Sequence, residues 1–225
     1  MMSLQLAQQN SSGTDFSGDG RSGNRAGGGS RSDCPQMNPS LTALMTISNS
    51  GTTVAERPTF WFYVPYSPEQ VPVGEFVLQD ENRKDIYRIP FTLPDTPGFI
   101  SFKIPSNRSP LDIGKQYRWY FNLYCDRQQS SSPIFVQGWV QRIALTPEIE
   151  RQLKAAKPRE DEVYAANRIW FDAIAHLADL RRTNPTDAAL DRGWINLLSA
   201  KGVDLALPNQ TPIVGGVTLS PLSEP

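Results

Sequence analysis

Two runs of aromatic residues set the strongest constraint on how this chain can fold. They are TFWFYVP at residues 59–65 and YRWYFNLYC at residues 117–125. Aromatic and β-branched side chains pack well on a pleated, half-buried surface, so both runs predict strands with large side chains on both faces. The sequence therefore favours a protein built mainly from β-sheet.

Turn-forming residues divide the next part of the chain into about seven short strands. The expected strands cover residues 41–47, 59–64, 75–79, 85–91, 99–104, 116–125 and 133–145. The breaks between them, such as Asn-Ser-Gly at residues 49–51, carry turn chemistry, and no helical pattern separates the strands. This spacing predicts an antiparallel, immunoglobulin-like β-sandwich.

Helical patterns follow the last expected strand. Thr146 is a good N-cap, and Pro147 suits the first helical position. A second helix is expected over residues 160–182, because apolar residues recur there at helical spacing. The chain should therefore end in a short helical tail.

The last expected helix reaches Lys201, with Asn184 as its cap and Asp187 in the capping-box position. Together with residues 167–180, this stretch resembles a degenerate tetratricopeptide unit. It holds only about one and a half repeats, fewer than the roughly three needed for a free-standing stack. The tail should therefore pack on the sandwich or on a partner.

Composition divides the chain into four parts. Residues 1–33 are rich in Gly, Ser and Arg, and we expect a disordered leader because such a segment buries too little apolar surface to offset its ordering entropy. Residues 34–145 form the sandwich, and residues 146–203 form the helical tail packed on it. Residues 204–225 are expected to be a loosely ordered C terminus.

The charges nearly cancel, with 22 basic and 23 acidic residues. No field of one sign is therefore expected to attract nucleic acid or an anionic membrane. No segment approaches the ~20 apolar residues that span a bilayer. The leader's arginines, Arg21, Arg25 and Arg31, could contact an anionic polymer, although a solubilising linker is the favoured interpretation.

The two cysteines of the chain are Cys34 and Cys125. The first lies where the Gly/Ser-rich segment ends, and the second closes an aromatic run. A disulfide between them would anchor the start of the fold to the end of a central strand; two unrelated thiols are the alternative. Such a bridge requires an oxidising compartment.

The N terminus leaves the location of the protein open. Residues 1–9 lack the basic start and the apolar core of a signal peptide, although residues 4–9 are similar to the end of one. We therefore expect a periplasmic or extracellular protein if the true start lies upstream, and a cytoplasmic one if the start is as written.

On each of the two longest expected strands, period-two alternation assigns one face to the core and gives the other face aromatic and polar residues. The core side of the first carries Tyr117, Trp119, Phe121, Leu123 and Cys125, and its other side carries Arg118, Tyr120, Asn122 and Tyr124. The leftover face is either a platform for a ligand or the surface on which the helices pack. The possible ligand face that we single out comprises Trp61, Tyr120, Tyr124 and Trp139.

The sequence contains no Gly-rich phosphate loop, nucleophile elbow or paired-histidine metal motif. We therefore expect no catalytic, cofactor-binding or metal-binding residues, and no cofactor. The single histidine, His176, is expected at the boundary of the helical apolar stripe. Asp80, Glu81 and Asp85 near a hairpin tip could support glycoside hydrolysis, but acidic tips are ordinary.

Several motifs together are similar to a known family. They are DC at residues 33–34, LTAL at 41–44, AERPTFWFYVP at 55–65, EFVL at 75–78, YRWYF at 117–121, Cys125, and GWVQR at 138–142. In this order they resemble the cyanobacterial family called domain of unknown function 928, over about residues 33–202. The resemblance implies a β fold and an exported protein, and it implies no activity.

These observations favour a non-catalytic, extracytoplasmic interaction module that binds a protein or an envelope polymer. The alternative is a carbohydrate-binding β-sandwich in which the four aromatic residues of the possible ligand face stack on sugar rings. An unrecognised hydrolase is the third hypothesis. Exposure of those aromatic residues distinguishes the first two hypotheses, and a pocket with two facing carboxylates would favour the third.

Overall fold

A computed structural model describes residues 14–27, 32–208 and 210–220. The strands of the described residues are β1 (Thr42–Ala43), β2 (Ser50–Thr53), β3 (Thr59–Val64), β4 (Val73–Gln79), β5 (Asp85–Thr92), β6 (Gly98–Lys103), β7 (Gln116–Tyr124), β8 (Ile134–Arg142), β9 (Ile213–Gly216) and β10 (Thr218–Leu219). The helices are α1 (Pro147–Ala156), α2 (Glu160–Ala166), α3 (Trp170–Thr183) and α4 (Ala188–Leu198). The fold is therefore mainly β, with its helices in the C-terminal part of the chain.

The strands form two sheets. One has the order β1-β3-β6-β9, and the other has the order β10-β5-β4-β7-β8-β2. The expectation of purely antiparallel strands is wrong, because β2 runs parallel to β8 and β9 runs parallel to β6. Parallel neighbours need a long connection, and both pairs are joined through several intervening elements. The immunoglobulin-like topology stays a prediction.

Aromatic rings fill the space between the two sheets. Phe62 of β3 stacks on Phe121 of β7 with ring centroids 3.9 Å apart, and Phe76 of β4 stacks on Phe102 of β6 at 4.1 Å. Each pair joins one sheet to the other and adds about 0.5–1.5 kcal/mol beyond the burial of its area. Tyr117, Trp119, Phe121 and Leu123 are buried, on the core side that the alternation predicted.

Helix α4 packs against the four-stranded sheet, and α3 packs against that sheet and against β2, the edge strand of the six-stranded sheet. Phe99 of β6 meets Trp194 of α4 edge to face, with ring centroids 5.1 Å apart. Trp170 of α3 is fully buried and donates its Nε1–H to the carbonyl oxygen of Leu44 at 2.8 Å. Within the described ranges, no helix covers the outer face of the six-stranded sheet.

The predicted disulfide between Cys34 and Cys125 is confirmed. Their Cα atoms lie 5.1 Å apart, and 91 positions separate them in the sequence. The bridge ties the segment before β1 to the residue that follows β7. It therefore holds the N-terminal side of the fold against a central strand of the six-stranded sheet.

Residues 14–27 differ from the disordered leader that composition predicted. Phe16 is 5% exposed, and its ring centroid lies 5.0 Å from that of Trp170. The backbone of Asn24 exchanges two hydrogen bonds with Gln137 of β8, at 3.2 and 2.8 Å. Backbone hydrogen bonds of this kind do not show in a composition, which explains the difference.

The remaining part of the predicted leader, residues 1–13 and 28–31, lies outside the described residues. The C-terminal segment also differs from the loosely ordered chain that was expected, since β9 and β10 extend the two sheets. Both strands are short, and β9 contains two glycines, so their sequence carries little β signal. Residues 221–225 again lie outside the described range.

Candidate functional site

The outer face of the six-stranded sheet, here called the open face, collects polar and aromatic side chains. Period-two alternation places them there, because every second residue of a strand points to the same side. The members are Glu75, Val77 and Gln79 of β4, Arg88 of β5, Arg118, Tyr120, Asn122 and Tyr124 of β7, and Phe135, Gln137, Trp139 and Gln141 of β8. The open face is the first candidate for binding, since it lacks a helical layer.

The structure brings together three of the four residues predicted for the ligand face. Tyr120, Tyr124 and Trp139 are half-buried on the open face. Trp61 is a correction: it is 3% exposed and lies on β3 of the other sheet. It shares the side of that sheet on which α3 and α4 pack, opposite Ser101 of β6. A strand with aromatic residues on both faces does not show which face meets water.

Phe135 belongs to the same group of rings, although it was not singled out as a ligand residue. Its ring centroid lies 6.3 Å from that of Tyr120 on the neighbouring strand. Tyr120, Tyr124 and Phe135 line a depression of about 310 Å³ together with Asn122 and Arg88. This volume is at the lower end of the roughly 300–1,000 Å³ typical of small-molecule sites.

Hydrogen bonds fix the polar side chains at this end of the open face. Glu75 Oε1 accepts from Arg88 Nη1 at 2.9 Å and from Asn122 Nδ2 at 3.2 Å. Arg88 also donates to Asp85, so its charge is compensated. Burial raises the pKa of the Tyr124 hydroxyl, which keeps that group a neutral donor at physiological pH. This end therefore presents aromatic rings beside fixed donors and acceptors.

The opposite end of the open face is basic. The guanidinium of Arg118 lies 5.0 Å from the ring centroid of Tyr120 and 5.9 Å from that of Trp139. The guanidinium of Arg21, from the segment before β1, lies 5.1 Å from the Trp139 ring centroid. Both distances to Trp139 are within the range of cation–π attraction. We call this region, defined by Arg21, Arg118 and Trp139, the arginine end.

The other residues considered for chemistry have structural contacts. Asp80 accepts hydrogen bonds from two backbone N–H groups of its own turn, and Asp85 from Gln79 and Arg88. His176 Nε2 lies 2.9 Å from the carbonyl oxygen of Pro158. Among the described residues, no group of three or more His, Cys, Asp or Glu side chains could hold a metal ion. Nor does any helix in those ranges have the length and apolar character to cross a membrane.

Asp172 is a partly buried acidic residue that the sequence did not single out. Its Oδ2 accepts a hydrogen bond from the backbone N–H of Val54 at 3.2 Å. Burial raises the pKa of the Asp172 carboxyl to about 6, and hydrogen bonds to Thr53 and the neighbouring backbone act in the opposite direction. Asp172 joins the first turn of α3 to the segment that follows β2. No sequence motif marks such a contact, because it depends on how the helix docks.

The described residues form a mainly β protein of two facing sheets, with C-terminal helices and with an aromatic-polar face on the six-stranded sheet that no described helix covers. The family model described as Domain of Unknown Function (DUF928) matches residues 26–212. The chain belongs to this family, in agreement with the motifs around the aromatic runs. A search of curated proteins found no match. The fold and the open face therefore carry the functional argument.

Proposed function

We propose that this protein is a non-catalytic, extracytoplasmic module that binds an envelope glycan on its open face. The observation that carries the proposal is the depression lined by Tyr120, Tyr124 and Phe135 beside the fixed polar groups of Glu75 and Asn122. A sugar ring offers an apolar face that stacks on aromatic rings and hydroxyls that bond to polar side chains. A sheet face with both features suits such a ligand.

The mixture of rings and polar groups favours a glycan over a protein on the open face. The core of a protein interface is depleted in charged residues. Here Arg88 and Glu75 form an ion pair at 2.9 Å within the same patch as the rings. Their charges and the amide of Asn122 supply donors and acceptors that match sugar hydroxyls.

A protein partner is the second candidate, and a different observation favours it. An apolar groove of about 690 Å³ lies between α4 and residues 204–208, and Trp194, Leu198 and Leu205 line it. Ile195 beside them is 42% exposed. Binding on an array of envelope proteins that Ile195→Glu abolishes, with the melting temperature unchanged, would favour this second function.

The disulfide supports the extracytoplasmic part of the proposal, because such bridges persist in oxidising compartments. The proposal also retains three finer expectations from the sequence. They are the cyanobacterial origin of the family, an immunoglobulin-like relationship of the sheets, and a tetratricopeptide-like helical region. The first and the third rest on resemblance, and the second rests on the number and spacing of the strands that the sequence predicts.

A glycan array probed with the full chain and with the double variant Tyr120→Ala/Tyr124→Ala tests the proposal. Loss of one stacking contact worth about 1.5 kcal/mol weakens binding about tenfold, so the double variant should lose its signal on the array. Ile113→Ala, which trims an apolar residue that is 57% exposed outside the open face, is the matched control and should bind normally.

Two results would contradict the proposal. One is a full chain that binds no glycan on the array, or a double variant that binds as well as the full chain. The other is the appearance of shorter saccharides after prolonged incubation with a bound glycan, which would make the protein an enzyme. Melting curves of the three proteins show whether a loss of binding reflects unfolding.

A further inference from the structure

A small cavity adjoins the arginine end of the open face. It has a volume of about 170 Å³ and lies between β2, the start of α3 and the segment before β1. Trp139 forms part of its wall, so the cavity is continuous with the open face. Its volume is below the roughly 300 Å³ of a drug-sized pocket, and it suits a single small group.

The cavity is lined by donors and positive charge. Its lining residues include two arginines, Arg21 and Arg168, and two glutamines, Gln116 and Gln141. The side-chain amide of Gln116 makes no hydrogen bond to a described residue, although its backbone N–H donates to Glu81 Oε1 at 3.2 Å; Gln141 Nε2 donates to the carbonyl oxygen of Gly114 at 3.1 Å. None of the described residues that line the cavity is acidic.

The arginines around this cavity are not neutralised by carboxylates. Arg21, Arg118 and Arg168 form no ion pair with any described residue. Arg118 donates Nη2 to the Gln137 amide oxygen at 2.6 Å, and its buried Nε has no hydrogen-bond partner within the described chain. Of the three, Arg118 is partly buried, and a bound anion would relieve the cost of burying its guanidinium group without a counter-charge.

The other leader arginines differ from Arg21. Arg25 donates to the backbone carbonyl oxygens of Met45 and Val203, so it serves the fold. Arg31 lies outside the described residues. Arg21 is exposed, and the backbone hydrogen bond from its N–H to the carbonyl oxygen of Ser48, at 2.8 Å, holds it beside the cavity.

We infer that the cavity at the arginine end binds the anionic group of an acidic glycan, a carboxylate or a sulfate, whose neighbouring rings lie along the open face. The inference rests on the proposed function and specifies its ligand class. Arg21 and Arg168 are exposed residues at the lining of the cavity, and Arg118 lies on the adjacent open face, so all three supply positive charge around it. Trp139 fixes the guanidinium groups of Arg21 and Arg118 through cation–π contacts.

Arginine suits this role because its planar guanidinium forms paired hydrogen bonds with carboxylate and sulfate oxygens. The amides of Gln116 and Gln141 can bond to the hydroxyls of the same sugar. The arginine end and the ring-lined depression lie on neighbouring strands, β7 and β8. An extended polymer could therefore occupy both at once, which raises its apparent affinity above that of either contact alone.

Isothermal titration of the full chain with three polymers tests the inference: polygalacturonate, which carries carboxylates, dextran sulfate, and neutral dextran. The affinity for at least one of the two acidic polymers should be about ten times that for dextran or higher, and added salt should weaken that binding. A preference for polygalacturonate identifies a carboxylate as the anionic group, and a preference for dextran sulfate identifies a sulfate.

The double variant Arg21→Gln/Arg168→Gln should reduce the affinity for the preferred acidic polymer about tenfold or more. Arg192→Gln is the matched control, since Arg192 is an exposed arginine on α4 and forms no ion pair with a described residue. Melting temperatures of both variants should match that of the full chain, because all three arginines are exposed.

The outcomes separate this inference from the proposed function. Equal binding of all three polymers, or an acidic preference that Arg21→Gln/Arg168→Gln leaves intact, overturns the acidic-glycan inference and leaves the glycan module standing. An equal loss with Arg192→Gln overturns it as well, because it shows attraction to charge in general. Absence of binding to these polymers together with an empty glycan array overturns both.

Discussion

Replacing Trp170 by alanine is the strongest test of how the helices are attached to the sheets. Trp170 is fully buried, its ring meets Phe16 edge to face at 5.0 Å, and its Nε1 donates to the carbonyl oxygen of Leu44 at 2.8 Å. Emptying a buried tryptophan site costs about 3–5 kcal/mol. The carbonyl left without its donor adds about 1–3 kcal/mol, so the free energy of unfolding should fall by about 5 kcal/mol.

Trp170→Phe separates the two contributions. Phenylalanine keeps most of the volume and can still pack on Phe16, but it cannot donate to Leu44. The loss should therefore shrink to about 1–3 kcal/mol, the cost of the missing hydrogen bond. A single domain has about 5–15 kcal/mol in total, so Trp170→Ala should bring the protein close to unfolding and Trp170→Phe should not.

Urea unfolding followed by circular dichroism provides the measurement. The far-ultraviolet signal reports the helices, and the near-ultraviolet signal reports the packed aromatic residues between the sheets. Both signals should change at the same urea concentration, since one contact network joins the helices to the sheets. A Trp170→Ala loss below about 1 kcal/mol, or helices that unfold separately in the unsubstituted chain, would refute this account.

Three further predictions concern the disulfide, Asp172 and Gly51. Cys34→Ser/Cys125→Ser should lower the free energy of unfolding by about 4–5 kcal/mol, because the bridge spans 91 positions. If the variant and the unsubstituted chain had the same melting temperature under oxidising conditions, this prediction would be wrong. Burial raises the pKa of Asp172 to about 6. The contribution of this carboxyl to the free energy of unfolding should therefore be most favourable below pH 4, and it should fall by up to about 3 kcal/mol as the pH rises through 6. The difference in unfolding free energy between the unsubstituted chain and Asp172→Asn should therefore change over this pH range, and a constant difference would disprove the assignment. Gly51→Ala would place a Cβ atom 2.9 Å from an aromatic carbon of α3 and should lower the melting temperature, whereas Gly20→Ala, with open space around it, should not.

The long central strands could be predicted from the sequence because their signal is local. Strand β3 begins and ends where the aromatic run predicted, and β7 ends one residue earlier than expected. Alternation also identified the core side of β7. Large side chains on every second position leave little freedom for another arrangement.

Strand β2 could not be predicted, because its signal is not local. Residues 49–51 read Asn-Ser-Gly, and we interpreted them as a turn. Ser50 and Gly51 instead pair with Trp139 and Val140 of β8, in parallel. Gly51 is required where α3 approaches, since there is no room for a side chain against Phe171. The strand therefore exists because of contacts made by distant parts of the chain.

In the helical region, too, local features were predicted and features that depend on distant contacts were not. Thr146 caps α1 as predicted, and its side chain accepts from the backbone N–H of Ile149 at 3.3 Å. The single helix expected over residues 160–182 is broken between α2 and α3, where Arg168 has a φ of 59°. No glycine or proline marks this break. The interruption turns the chain so that Trp170 enters the core, a requirement that only the tertiary structure contains.

The cap of α4 was also assigned to the wrong residue. Asp187, and not Asn184, is the N-cap, and its side chain accepts from the backbone N–H groups of Ala189 and Leu190. Asn184 instead donates its side-chain amide to the carbonyl oxygen of Leu180 at the end of α3. Both residues are good caps in isolation, so sequence alone could not choose between them.

The candidate site was predictable in its composition and not in its surroundings. Alternation showed that Tyr120 and Tyr124 share a face, but it could not show that the helices cover the opposite sheet and bury Trp61. Nor could it show that a Gly/Ser-rich segment brings Arg21 to Trp139. The covering of the four-stranded sheet and the position of Arg21 at the arginine end both depend on where segments distant in sequence dock.

The segment at residues 14–27 links the stability of the fold to the chemistry of the arginine end. Phe16 packs against the tryptophan that anchors α3, and five residues later Arg21 reaches the Trp139 ring. The backbone bonds of Asn24 to Gln137 hold the same segment against β8. An anion bound at Arg21 would favour the docked segment, and Phe16 of the same segment contacts Trp170 at the start of α3. By mass action, such a ligand should raise the resistance of the whole fold to unfolding.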